Sequence, residues 1–144
     1  MLALAGAAPA QAAVLTRPER SVLAELNRAR GAHGLAQLRV DRRLQLAARA
    51  HATDMLRRDY FAHGPFVSRI LGFGATGPAF GENLAWGTGT RAAPRAIVAG
   101  WLASSGHRAN VLRAGFRRVG VGAPTGTFQG LTGVRMVTAD FAGR

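Results

Sequence analysis

Cysteine and lysine are absent from this chain, acidic residues number only 7, and there is a single tyrosine. Without cysteine there is no disulfide framework and no thiolate metal site. A chain of 144 residues does not need staples, because a core of that size stands by itself. No apolar run reaches the roughly 18–20 residues that a bilayer-spanning helix requires. Every one of the 19 basic residues is arginine, and the formal net charge is +12. Such a charge favours anionic partners: nucleic acid, acidic lipid headgroups or cell-wall polymers. The arginines are scattered, however, with only the short pairs Arg42-Arg43, Arg57-Arg58 and Arg117-Arg118. No dense basic run marks a nucleic-acid segment, and absent lysine with abundant Ala, Gly and Arg also reads as a coding bias. Specific nucleic-acid binding is therefore not expected. Nearly half of the residues are apolar, which excludes a disordered chain.

Residues 1–13 are apolar and small, and end in Ala10-Gln11-Ala12, the small-x-small pattern cut by signal peptidase. They read as the remnant of a secretory signal segment, although the usual positively charged start is missing. A secreted protein, or one in the periplasm or cell envelope, is expected, with residues 14–144 as one domain and a monomer.

The remainder reads as helices first and strands last. Thr16-Arg17-Pro18-Glu19 is a capping box, followed by Val22, Leu23, Leu26 and Ala29 at helical spacing until Gly31 and Gly34. Asp41 caps a second helix whose inner stripe is Leu44, Ala47 or Ala48, His51 and Met55, ending near Asp59. A third runs from about Ala93 to Ala103; Ser105-Gly106 breaks it, and a short turn carries His107 to Leu112. Arg118 to Gly122 and Gly133 to Phe141 alternate as strands, with Pro124 to Gly133 as their connection. Helices grouped before a small antiparallel sheet predict an α+β layered domain.

Two stretches set an ionisable side chain among glycines and short polar residues: Gly81-Glu82-Asn83-Leu84-Ala85-Trp86-Gly87 and Ser104-Ser105-Gly106-His107-Arg108-Ala109-Asn110. With Phe61-Ala62-His63 they supply the trio His63, Glu82 and His107. Two imidazoles and a carboxylate suit Zn²⁺ with an open position, although nothing in the spacing forms a local chelate. Alternatively, Glu82 accepts hydrogen bonds from both rings and ties the layers together. Asn83, Trp86, Ser105 and Arg108 are candidates for lining the same cleft. Asn83 also reads as a backbone-pinning amide, Trp86 and Trp101 as packing, and Arg108 as the partner of an acidic surface residue. Ser104 and Ser105 cap the following turn more simply than they supply a nucleophile. His51 reads as a core or boundary histidine, and His33 as solvated near a helix end.

Leu26-Asn27-x-x-Arg30, Leu38-x-x-Asp41-x-x-Leu44 and His51-Ala52-x-Asp54-Met55 come first. The His63, Glu82 and His107 stretches, Phe116-x-x-Val119-Gly120-Val121-Gly122 and Asp140-Phe141 follow. In this order, over roughly residues 20 to 142, they resemble the bacterial SCP-like branch of the CAP domain family. That superfamily includes cysteine-rich secretory, venom-antigen and pathogenesis-related proteins. The resemblance implies an α-β-α sandwich, secretion, and a His/Glu cleft linked in some members to divalent metal and in others to lipids. It also implies two departures. A second glutamate expected after the helix tryptophan is replaced by Ala103-Ser104-Ser105, and the late-strand Gly-His-Phe-Thr motif by Val134-Arg135-Met136-Val137-Thr138.

Three functions are carried forward. The first is a non-enzymatic binding domain for a divalent cation, zinc or another, or for a small apolar ligand such as a lipid. The second is a metal-assisted hydrolase of peptide or cell-wall material with Glu82 as general base. The third is a cationic protein adhering to an anionic envelope component.

Overall fold

The computed structural model describes residues 14–144, so the signal-segment expectation for 1–13 lies outside the described residues. Helix α1 spans Arg17–Ala32 and opens on the expected capping box. Glu19 N donates to Thr16 Oγ1, and Thr16 N donates to Glu19 Oε2 at 2.8 Å. Gly31 lies inside the helix rather than ending it; the chain leaves through His33 and Gly34, whose φ is 68°. Arg30, buried on this helix, donates to the carbonyls of Ala36, Val111, Arg113 and Phe116. One side chain thus satisfies main-chain acceptors from three separate segments, which accounts for a guanidinium in the core.

Strand β1, Arg39–Val40, leads into α2, Arg42–Arg58. Asp41 caps α2 as expected, its Oδ1 accepting from the Arg43 and Leu44 amides, and Asp59 ends it in a left-handed conformation at φ 56°. A short helix, α3, Phe66–Gly72, was not legible because it buries only Ile70 and therefore shows no periodic face. Strand β2 follows at Phe80–Gly87, then a 3-10 turn at Gly89–Ala92 and α4 at Pro94–Leu102. Ser105-Gly106 does not merely break the chain: α5, Ser105–Val111, begins there. Strands β3, Phe116–Gly122, β4, Thr125–Phe128, and β5, Leu131–Gly143, complete the chain; the expected connection between strands contains β4.

The sheet runs β1-β3-β5-β2, with β4 also paired to β5. It is mixed rather than purely antiparallel, because β1 lies parallel to β3, and β2 enters it from between the helices. Alternation along β5 divides the core. Val137, Ala139 and Phe141 pack with Val22, Leu26, Ile97 and Trp101 of α1 and α4. Val134 and Met136 pack with Ala52 and Met55 of α2, and Ala142 with its Leu44 and Ala47. Two helical layers thus enclose one sheet, the expected α-β-α sandwich. Alpha-2 lies close on β3: a Cβ placed on Gly120 would overlap the main chain of Leu44.

Candidate functional site

The same alternation decides which way the site residues face. On β2, Leu84 packs with the α2 layer, so Glu82, two residues earlier, points to that layer too, whereas Asn83 points toward α5. Glu82 has a fully buried side chain (0 % exposed), and both carboxylate oxygens are engaged. Oε1 bonds His63 Nδ1 at 2.8 Å, from the segment between α2 and α3, and Oε2 forms an ion pair with Arg69 of α3. Arg69 also donates to the His63 carbonyl at 3.0 Å, so it grips both members of the His63–Glu82 pair.

Opposite Glu82, in register on β5, stands Asp140, also fully buried. Neither of its carboxylate oxygens has a hydrogen-bond partner meeting ordinary geometry among the described residues. Burial first, then the adjacent Glu82 carboxylate, push its carboxyl well above the usual range, so Asp140 retains its proton far more readily than a free aspartate. His51 adjoins this group. Its Nε2 donates to the Ala62 carbonyl at 2.9 Å, and burial, then Arg69, hold the ring below the usual imidazole range, favouring the neutral form. It is the core histidine the helical spacing implies.

His107 approaches from the other layer. Its carbonyl accepts from Asn83 Nδ2 at 3.0 Å, and Asn83 Oδ1 accepts from Asn110 at 2.9 Å. Asn83 is therefore the pinning amide expected, fastening α5 to β2, and being fully buried it lines no cleft. Ser104 does not cap α5 through its hydroxyl; that hydroxyl meets His107 Nδ1 at 2.9 Å. Burial, followed by the charge of His63, lowers the His107 pKa, so the two imidazoles sense one another without sharing Glu82. Arg108 contacts His33 Nε2 at 3.2 Å rather than an acidic residue, and Ser105 is exposed at the start of α5.

The fit of a divalent cation follows from these partners. Among the described residues no group of three His, Cys, Asp or Glu side chains is arranged to hold one. Glu82 has no free oxygen, and the cation already beside it is a guanidinium. What remains is two imidazoles, too few for a three-ligand zinc centre. The arrangement does not fit the His63–Glu82–His107 set. The same sealing leaves Glu82 without access to a water that it would activate as a general base.

A groove of about 400 Å³ does reach His107. Its apolar lining comes from Leu84, Ala85 and Trp86 of β2 and from Ile97 and Trp101 of α4; Ser104 and His107 lie at one part of it, and Arg91 also contributes. Trp86 is partly exposed and packs edge-on against Phe128 at 5.3 Å between ring centroids. Trp101 is anchored by its indole N–H to the Leu84 carbonyl at 3.0 Å. Arg69 and Asp140 were not singled out from the sequence as site residues, and Ser104 was weighed only as a nucleophile or a cap. Of these two, Asp140 left a signal: the one charged residue on the β5 face that otherwise carries Val134, Met136, Thr138 and Ala142.

Residues 23–137 match the model of the cysteine-rich secretory protein family, CAP. The chain is 36% identical over 109 residues to the uncharacterized protein YkwD of Bacillus subtilis, covering 72% of this chain and 41% of that one. It is similar to the crystal structure of an extracellular SCP-domain protein from Bacillus anthracis, with a TM-score of 0.74 and 26% identity over 91% of this chain and 45% of that chain. An outer surface protein from Borrelia burgdorferi shares the fold at a TM-score of 0.75 and 18% identity, covering 91% and 96% of the two chains. The chain thus spans less than half the length of the two Bacillus relatives. Among the described residues no helix is long and apolar enough to cross a membrane. This chain belongs to the CAP family, as a bacterial SCP-like domain.

Proposed function

We propose that this domain is an extracellular, non-enzymatic binding module whose ligand is a small amphiphile with an apolar chain and an acidic head. The observation that carries the reading is the groove: an apolar lining that includes Ala85, Trp86, Ile97 and Trp101, with Arg91 and His107 as polar groups in it. Mostly apolar concavities with a few placed polar groups are the usual form of small-molecule sites. The extracellular assignment is supported by the signal-like residues 1–13 and by the SCP-domain relative described as extracellular.

The His63–Glu82–Arg69 cluster serves this module as its internal framework rather than as its chemistry. A carboxylate with both oxygens engaged and no exposure is suited to holding α3 and the His63 segment on β2. Quenching or enhancement of tryptophan fluorescence during titration with octanoate and decanoate tests the reading. Each buried CH₂ contributes about 0.8 kcal/mol, so decanoate is expected to bind at least about ten-fold more tightly than octanoate. Binding that is independent of chain length, or unchanged in Trp86→Ala, defeats the proposal.

A further inference from the structure

The charge of this chain is not evenly compensated. Its seven acidic residues are Glu19, Glu25, Asp41, Asp54, Asp59, Glu82 and Asp140, and residues 1–13 contain no charged side chain. Glu19, Glu25, Asp41, Asp54 and Glu82 are each paired with an arginine. Asp140 is buried, and Asp59 accepts the Gln129 amide at 2.6 Å. Among the described residues none of the remaining arginines has an acidic partner, and several of these converge.

They meet at the β1 end of the sheet, where a groove of about 760 Å³ is lined by Arg39, Arg117, Arg118 and Arg144. Consecutive residues of a regular strand face opposite ways. Here β3 carries a register irregularity between Phe116 and Arg118, which lets neighbouring Arg117 and Arg118 line one groove. Asp41 is the one acidic side chain in the lining, and it is consumed: Oδ1 accepts from two amides and Oδ2 from Arg118 at 2.8 Å. Arg118 is further held by the Thr76 and Gly143 carbonyls and forms a fixed wall. Arg39 and Arg117 form no ion pair among the described residues and are free to meet a ligand.

We infer that this arginine-lined groove, distinct from the Trp86 groove, binds a flexible phosphate polymer. Guanidinium forks match phosphate oxygens bidentately, and several of them along one channel suit a repeating anion. The lining has no aromatic side chain on which nucleobases would stack, and it offers no projecting helix for a duplex groove. A concave channel is also a poor match to a flat bilayer. The polymer it fits is ring-free and singly stranded.

Long-chain inorganic polyphosphate is the probe, titrated against the whole chain by calorimetry at several salt concentrations. Orthophosphate, a single-stranded oligonucleotide and vesicles of an anionic phospholipid provide the comparison arms. The groove predicts saturable polyphosphate binding, weakened at least ten-fold in the double variant Arg39→Gln, Arg117→Gln. The slope of log affinity against log salt is expected to lessen by roughly 1 to 1.5 in that variant, as two phosphate contacts are lost. The double variant Arg57→Gln, Arg95→Gln, which removes equal charge from exposed positions elsewhere, is expected to bind within two-fold of the parent. Equal losses in the two double variants would show adhesion by net charge and overturn the inference. So would an oligonucleotide or vesicles binding as tightly as polyphosphate, or orthophosphate competing at equal phosphate concentration. Unchanged melting temperatures confirm that Arg39 and Arg117, neither of which anchors the fold, were removed without unfolding.

Discussion

Glu82 and Asp140 stand side by side on adjacent strands, both buried, and only Glu82 has a cationic partner. Two carboxyls so placed do not both ionise at low cost, and the proton stays with Asp140. A raised folded-state pKa contributes stability fully present below the unfolded value near 3.8 and lost as pH rises through the folded value. Asp140→Asn keeps the shape and the neutral charge. Its melting temperature is expected to equal or exceed that of the parent at pH 8, and its decline as pH rises above about 3.8 to be shallower. A variant that melts lower at pH 8, with the decline unchanged, would mean that Asp140 is stabilising as an anion.

His51 acts with the opposite sign. Its pKa is lowered by burial and then by Arg69, so the unfolded chain takes up the proton more readily than the folded one. The stability associated with the neutral ring is complete above about 6.5 and is lost as pH falls below it. Unfolding by urea between pH 7 and pH 5 is expected to show this loss, and His51→Gln to flatten it. Proton NMR titration of the imidazole gives the direct reading: an inflection below the ordinary histidine range.

Gly120 tests the packing of α2 on the sheet. An alanine methyl there collides with the Leu44 main chain, which no rotamer change relieves. Gly120→Ala is expected to cost about 3 kcal/mol in urea unfolding, the upper end for overpacking because the clash is with main chain. Gly115→Ala, where the added carbon meets nothing, serves as the contrast.

Metal removal separates the polar framework from a metal centre. Dialysis against a chelator is expected to leave the melting temperature unchanged. A genuine zinc site saturated at about 100 times its dissociation constant would add about 2.7 kcal/mol. A gain of that size, lost in both His63→Ala and His107→Ala, would require Glu82 to release Arg69 and would contradict the arrangement described.

The layered fold was legible because its signals are local. The Thr16–Glu19 capping box, the Asp41 cap and the period of α2 each specify an element without help from the rest of the chain. Alpha-3 left no such mark, since Ile70 is its sole buried residue. Beta-2 was read as a cleft segment rather than a strand because Gly81, Glu82 and Asn83 look like loop residues. They are sheet residues, each with a partner supplied from elsewhere: Asn110 and Phe116 crowd Gly81, Arg69 and His63 hold Glu82, and α5 takes Asn83. The trio His63, Glu82 and His107 was picked out as chemistry. The structure joins the first two, and His107 belongs with Ser104 on the other side of the strand, at a groove whose lining Trp86 also joins. Which face a strand residue serves depends on its register with β5, and that pairing is set by residues more than fifty positions away.

The central claim is that ligands enter beside Trp86 and not at the Glu82 cluster. Amide and indole chemical-shift changes on adding decanoate to isotope-labelled protein test it most directly. The account predicts shifts concentrated at Trp86, Ala96, Gly100 and His107, saturating together and absent in Trp86→Ala. Shifts centred on His63, Arg69 and Glu82, with Trp86 undisturbed, would contradict it.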